Sequence, residues 1–155
     1  MVIHSIETKS YAFGGYFAAL LIALRKIVLN KTEMLKVLVV DDDKDLLEMV
    51  TLVLRVHGMH VFGVNDHQEF FPALEDFRPD LVVLDIYLQE ADGRELCRRM
   101  KGQGEYNTTP VLLYSAGHIS AASIEECQAN GFLQKPFDIS VLLKRIREHL
   151  PEGTV

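Results

Sequence analysis

The stretch PDLVVLDIYLQEADGREL, residues 79–96, decides the fold. Leu81–Leu84 is an apolar run that reads as a buried strand, set off by Pro79 before it and by the turn-forming pair Asp92-Gly93 after it. The run ends on a carboxylate, Asp85, and an apolar residue, Ile86, follows at once. A strand of this kind delivers its last side chain to the rim of a sheet. Whether that acid is a turn residue or a chemical group depends on what the other strands bring to the same rim.

Outward from this strand the chain alternates between strand and helix. KVLVV (36–40) is a short, β-branched apolar run, and Asp43 caps a helix that Gly58 closes. MHVFGV (59–64) is the second strand, and Asn65 or Asp66 starts a helix running to Phe77. Asp92-Gly93 opens a helix around RELCRRM, and Pro110 opens the strand VLLYS (111–115). SAASIEECQAN (120–130) reads as a helix ended by Asn130-Gly131, and FLQK (132–135) as a short strand. Asp138 caps a last helix, which Pro151 ends. Five strand–helix units whose strands are apolar throughout predict a parallel sheet covered on both faces, an α/β doubly wound fold. Ligands of such sheets sit beyond the carboxyl ends of the strands.

At those ends stand Asp41-Asp42-Asp43, Asp85, Ser115 and Lys135. Taken singly, each has an ordinary reading: acids before a helix cap it and favour its dipole, and Ser or Lys-Pro after a strand marks a loop. Taken together they are more specific. Clustered carboxylates repel unless a cation joins them, and a half-open set of oxygen ligands suits Mg²⁺. A carboxylate beside Mg²⁺ can act as a nucleophile toward phosphorus, while an ammonium and a hydroxyl stabilise the transferring group.

These motifs, VLVVDDD, DLVVLDIYLQEADG, PVLLYSA and GFLQKPFD, follow in an order and spacing that resemble the receiver domain of two-component response regulators. The resemblance spans about residues 35–150 and implies a flavodoxin-like (βα)5 sheet of order 2-1-3-4-5. It implies that Asp85 accepts a phosphoryl group and that Mg²⁺ is held by Asp42, Asp85 and the Tyr87 backbone carbonyl, with Asp41 acting mostly through water. Ser115 is then the switch hydroxyl, Lys135 the phosphate-binding ammonium and Phe132 the switch aromatic. The implied partners are a sensor histidine kinase or histidine phosphotransfer protein, and a downstream protein bound by the fourth helix, fifth strand and last helix. Gln89 stands where the family usually has proline, and the bulky Tyr87 and bare Gly117 occupy positions that govern water access to the acyl phosphate.

Rival readings fit less well. A docking module with a receiver fold, independent of phosphorylation, is the alternative. A haloacid-dehalogenase-like phosphatase needs a second acid two residues after its nucleophile, where Tyr87 stands. A flavodoxin needs a Ser/Thr/Gly-rich phosphate loop after the first strand, and DDDKD would repel a flavin phosphate. A net charge of −6 argues against a nucleic-acid grip. Cys97 and Cys127 stand apart in helix-like sequence, reduced thiols that fit a cytoplasmic protein.

The domain is expected over residues 34–150, followed by a short tail, 151–155, with no output domain after it. Residues 1–33 differ, with a net charge of +2 and the apolar run YAFGGYFAALLIAL (11–24) ended by Arg25-Lys26. The run is too short for a good membrane span and lacks a signal-peptide cleavage site. Three readings stand: a helix packed on the domain or a partner; a membrane-contacting segment over residues 11–29; or translation beginning at Met34, the preferred one.

Overall fold

Val37–Val40 and Leu81–Leu84 have no polar face to show to water, so they bury both faces side by side in a sheet. The computed structural model describes Leu21 and residues 34–150. The readings of residues 1–33 and of the tail therefore lie outside the described residues. Among the described residues no helix is long and apolar enough to cross a membrane.

The elements follow the order β1 (Lys36–Val40), α1 (Lys44–Val56), β2 (His60–Val64), a 3-10 turn (His67–Glu69), α2 (Phe70–Phe77) and β3 (Leu81–Asp85). After these come β4 (Tyr87–Leu88), β5 (Ala91–Asp92), α3 (Gly93–Gly102), β6 (Val111–Ser115), α4 (Ala121–Glu126), β7 (Gly131–Gln134) and α5 (Ile139–Glu148). The five long strands form one sheet of order β2-β1-β3-β6-β7, every pair parallel. With the two-stranded β4–β5 ribbon set aside, this is the expected doubly wound order 2-1-3-4-5. β1 and β3 lie side by side in the middle of the sheet, so their carboxyl ends are neighbours.

Alternation along each strand splits the core in two. Leu38, Val40, Val82, Leu84, Val111 and Leu113 face Phe70, Leu74, Leu96 and Met100 of α2 and α3. Val37, Val39, Leu81, Val83, Leu112 and Tyr114 face Val50, Leu54, Leu142 and Ile146 of α1 and α5. Each fully buried aliphatic side chain contributes about 1.5–3 kcal/mol relative to its exposed state.

The caps follow sequence chemistry with two corrections. The Asp43 carboxylate accepts from the Asp45 and Leu46 amides, and Asp92 from the Arg94 amide. Asp66, rather than Asn65, caps the turn before α2, accepting from the Gln68 amide. Asp138 stands at the cap position of α5, but its side chain makes no capping bond. α4 ends at Glu126, short of the expected Asn130, because Gln128 turns left-handed (φ 60°) and the Ala129 amide bonds back to Ile124. Glycine normally signals such a turn, and here none does. The hairpin of β4 and β5 was not expected, since its Gln89-Glu90 tip carries no glycine or asparagine.

At the amino end of β6, Asn130 Oδ1 accepts from the Val111 amide (2.9 Å) and from Lys101 Nζ (3.0 Å). The buried Lys101 ammonium also donates to the Thr109 carbonyl at 2.7 Å. Cys97 and Cys127 are free and buried, and burial, with Cys127 adding to it, pushes the Cys97 thiol up to about 12. Both are inert core thiols.

α3 approaches β3 closely at Gly93, whose amide donates to the Ile86 carbonyl at 2.8 Å. A Cβ there would overlap the Asp85 carbonyl oxygen, which is backbone and cannot rotate away. Gly93→Ala is expected to cost about 1–3 kcal/mol of stability by forcing that backbone apart. Urea unfolding of the two proteins measures the loss.

Candidate functional site

The sheet brings the expected side chains to one rim. Asp41 and Asp42 follow β1, Asp85 closes β3, Ser115 closes β6 and Lys135 follows β7. Lys135 lies one residue beyond its strand, which ends at Gln134 rather than including the lysine. Carboxylate oxygens of Asp41, Asp42 and Asp85 lie within 4.8 Å of one another. Asp41 and Asp85 are buried and Asp42 is half-buried, so the cluster opens to water on the Asp42 side.

Lys135 Nζ donates to Asp41 Oδ2 and to Asp85 Oδ2, each at 2.8 Å. Asp41 Oδ1 accepts from the Asp43 amide at 2.9 Å, and Asp85 Oδ1 from the Tyr87 amide at 3.3 Å. Burial raises the Asp85 carboxyl above the usual carboxylate range; Lys135 pulls it down and Asp41 pushes it up. Burial likewise pulls Lys135 down, but its bonds to Asp41 and Asp85 more than offset this and leave its affinity for the proton raised. The ammonium is therefore a fixed positive charge.

The remaining expected residues sit around this pair. Ser115 is fully buried, and its Oγ accepts from the Gly117 amide at 3.0 Å. Tyr87 stands on the hairpin that follows Asp85 and is 56% exposed. Its ring lies over Gly117, where an added Cβ would meet Tyr87 Cε2 at 2.8 Å. The bulky residue thus fills the room that the glycine leaves. Phe132, in β7, is half-buried and packs against the core layer of α2 and α3.

One member was not read from the sequence. Tyr114, fully buried, donates its hydroxyl to Asp41 Oδ2 at 2.6 Å, and Lys135 Nζ lies 4.2 Å from the centroid of its ring. In an apolar strand it looks like one more core side chain. The available signal was that a buried tyrosine hydroxyl needs a partner.

The donors are all oxygens, and three carboxylates against one ammonium leave a negative balance. That set fits a small divalent cation of the Mg²⁺ kind, which takes one or two carboxylates and keeps several waters. It also places a buried, partly desolvated carboxylate beside a cation that can accept a tetrahedral oxyanion.

The chain belongs to the family of response regulator receiver domains, whose model matches residues 37–147. Protein RcaC of Microchaete diplosiphon is 35% identical over 122 residues, 77% of this chain and 18% of that protein. The DNA-binding response regulator MtrA of Mycobacterium tuberculosis is 32% identical over 117 residues, 74% of this chain and 50% of MtrA. The chain thus spans about half, or less, of the length of these relatives. Among solved structures, the chemotaxis response regulator CheY4 of Vibrio cholerae superposes with a TM-score of 0.72 at 28% identity, covering 76% of this chain and all of that one. A putative response regulator from Chloroflexus aurantiacus gives 0.71 at 33% identity, covering 76% of this chain and 98% of its own.

Burying the Asp85 carboxylate beside Asp41 costs stability when no divalent cation is present. A carboxyl with a raised folded pKa holds its proton more tightly folded than unfolded, so the cost sets in as pH rises past the unfolded carboxyl's pKa and is complete above the folded one. Asp85→Asn is expected to raise the melting temperature by a few degrees at neutral pH in chelator, and to lose part of that advantage at low pH. Thermal unfolding across pH checks both.

Proposed function

We propose that this chain is a single-domain response regulator of a two-component or phosphorelay system, with Asp85 as its phosphoacceptor. The observation that carries the reading is the bridge of Lys135 between Asp85 and Asp41 at the rim of a receiver sheet. CheY4, matched over the whole of its solved chain, supports the single-domain form.

In this reading an Asp85 oxygen bonds to the phosphorus of a phosphohistidine on a kinase or phosphotransfer protein. The P–N bond breaks, and its electron pair stays on that imidazole nitrogen, so that a ring protonated on its other nitrogen leaves as neutral imidazole. Asp42, Asp85 and the Tyr87 carbonyl would hold Mg²⁺, with Asp41 acting mostly through water. Bound there, Mg²⁺ would neutralise charge on the carboxylate and phosphoryl oxygens. Lys135 faces the incoming phosphoryl oxygens, and Ser115 offers them a hydroxyl once it releases the Gly117 amide. The chain assists its own phosphorylation and dephosphorylation without turning over a separate substrate.

Phosphorylation shifts a two-state equilibrium. Ser115 moves toward the phosphoryl group, Phe132 turns inward, and the face of α4, β7 and α5 changes its affinity for a downstream protein. The domain comprises residues 34–150, and the chain works in the cytoplasm.

Intact mass after incubation with Mg²⁺ and acetyl phosphate tests the core of this reading. The expected result is a Mg²⁺-dependent gain of one phosphoryl group in wild type and none in Asp85→Asn. No gain in a folded wild type, even with phosphorylated histidine donors, would favour a phosphorylation-independent docking module. Water access gives a second test. Tyr87 shields the acyl phosphate, so the phosphorylated form is expected to last minutes or longer. Gly117→Ala, which pushes the ring aside, is expected to shorten that lifetime several-fold in a decay assay.

A further inference from the structure

We propose that Tyr114 is a positioning residue that fixes Asp41 and Lys135 for cation and phosphoryl binding. The inference deepens, and rests on, the reading of this rim as a Mg²⁺-assisted phosphoacceptor site.

Tyr114 touches the site through its backbone, its ring and its hydroxyl. Its carbonyl accepts from the Ile86 amide at 3.1 Å, and its register partner on β3 is Asp85. The ring is fully buried in the layer beneath α1 and α5, with Phe137 edge-on at 6.0 Å. The hydroxyl donates to Asp41 Oδ2, the same oxygen that accepts from Lys135 Nζ.

Three donors therefore fix the Asp41 carboxylate: the Tyr114 hydroxyl, the Lys135 ammonium and the Asp43 amide. Asp41 is 0% exposed, so losing one of these donors leaves a buried carboxylate oxygen short of a partner. Lys135 is fixed in turn by two carboxylates and the face of the Tyr114 ring. The phenol also draws charge from Asp41 Oδ2. It thereby leaves the ammonium shared with Asp85 instead of drawn wholly to Asp41. Burial, with Asp41 adding to it, holds the phenol well above its ordinary pKa, so it remains a donor across the working pH range.

A group that orients a metal-site carboxylate typically accounts for 10–100-fold in metal affinity or activity. Tyr114→Phe keeps the ring in the core and under Lys135 and deletes only the hydroxyl. Calorimetric titration of the full chain with Mg²⁺ is expected to show affinity about tenfold weaker in this variant. The Mg²⁺ concentration that half-saturates phosphorylation by acetyl phosphate should rise in parallel, with a smaller fall in rate at saturating Mg²⁺. Equal Mg²⁺ affinity in the folded variant would overturn the proposal.

A second readout needs no change at Tyr114. The chain has five tyrosines and no tryptophan, so near-ultraviolet absorption reports on tyrosine. In a Tyr87→Phe background, which silences the neighbouring exposed ring, Mg²⁺ is expected to shift the tyrosine band. A silent spectrum on a cation-loaded site would overturn the proposal even if Tyr114→Phe fails to fold. A wild type that binds Mg²⁺ but takes no phosphoryl group would overturn the phosphoacceptor reading and leave the effect of Tyr114 on Mg²⁺ affinity to decide the positioning role. A wild type that binds no Mg²⁺ would overturn both.

Discussion

One ammonium between two buried carboxylates governs the rim of this sheet. Asp41 and Asp85 are neighbours because β1 and β3 pair in parallel, and the same pairing that buries their strands brings their charges together. Lys135 answers that repulsion from beyond the edge strand β7, reaching past β6. The ion pairs are largely shielded from solvent, so each group's place depends on the others. The net charge stays negative even so. A divalent cation would supply the positive charge that the folded rim leaves unmatched.

The sheet was legible because its strands are apolar and β-branched and its helices begin at acids and end at glycine or proline. A parallel, doubly wound sheet follows from that alternation, while its strand order came from the resemblance to receiver domains. The cluster of Asp41, Asp42, Asp85 and Lys135 was legible for a related reason: in a parallel sheet every strand end lies on the same side. What the sequence left unread depends on contacts between distant segments. Gln128 takes the left-handed turn that a glycine usually marks, so α4 looked longer than it is. Tyr114 hides in an apolar run because only the folded sheet brings Asp41 to its hydroxyl.

The two positions expected to govern water access to the acyl phosphate form one arrangement. Tyr87 is large and Gly117 has no side chain, and the ring of the first lies over the second. A Cβ at position 117 would meet the ring and push it aside. The hairpin that carries Tyr87 also holds Asp92, whose carboxylate caps α3 and grips Arg94, and Arg94 reaches Ser123 of α4 at 2.8 Å. The loop after Asp85 is thus tied to α4, a helix of the proposed output face.

β6 poses a problem of alignment that its neighbours share only in part. Its first four residues are apolar, and both faces of the strand are buried. A slip by one residue would exchange one set of apolar side chains for another, so hydrophobic alternation barely distinguishes the right pairing from a wrong one. Its polar ends make the distinction. At one end, the Asn130 side chain grips the Val111 amide while Lys101 holds Asn130. At the other, the phenol of Tyr114 finds Asp41. A strand shifted by one place would bury an unpaired hydroxyl and strand an acid without its donor. The polar groups at the two ends of β6 therefore act as the gauge by which the central sheet finds its alignment as the chain folds.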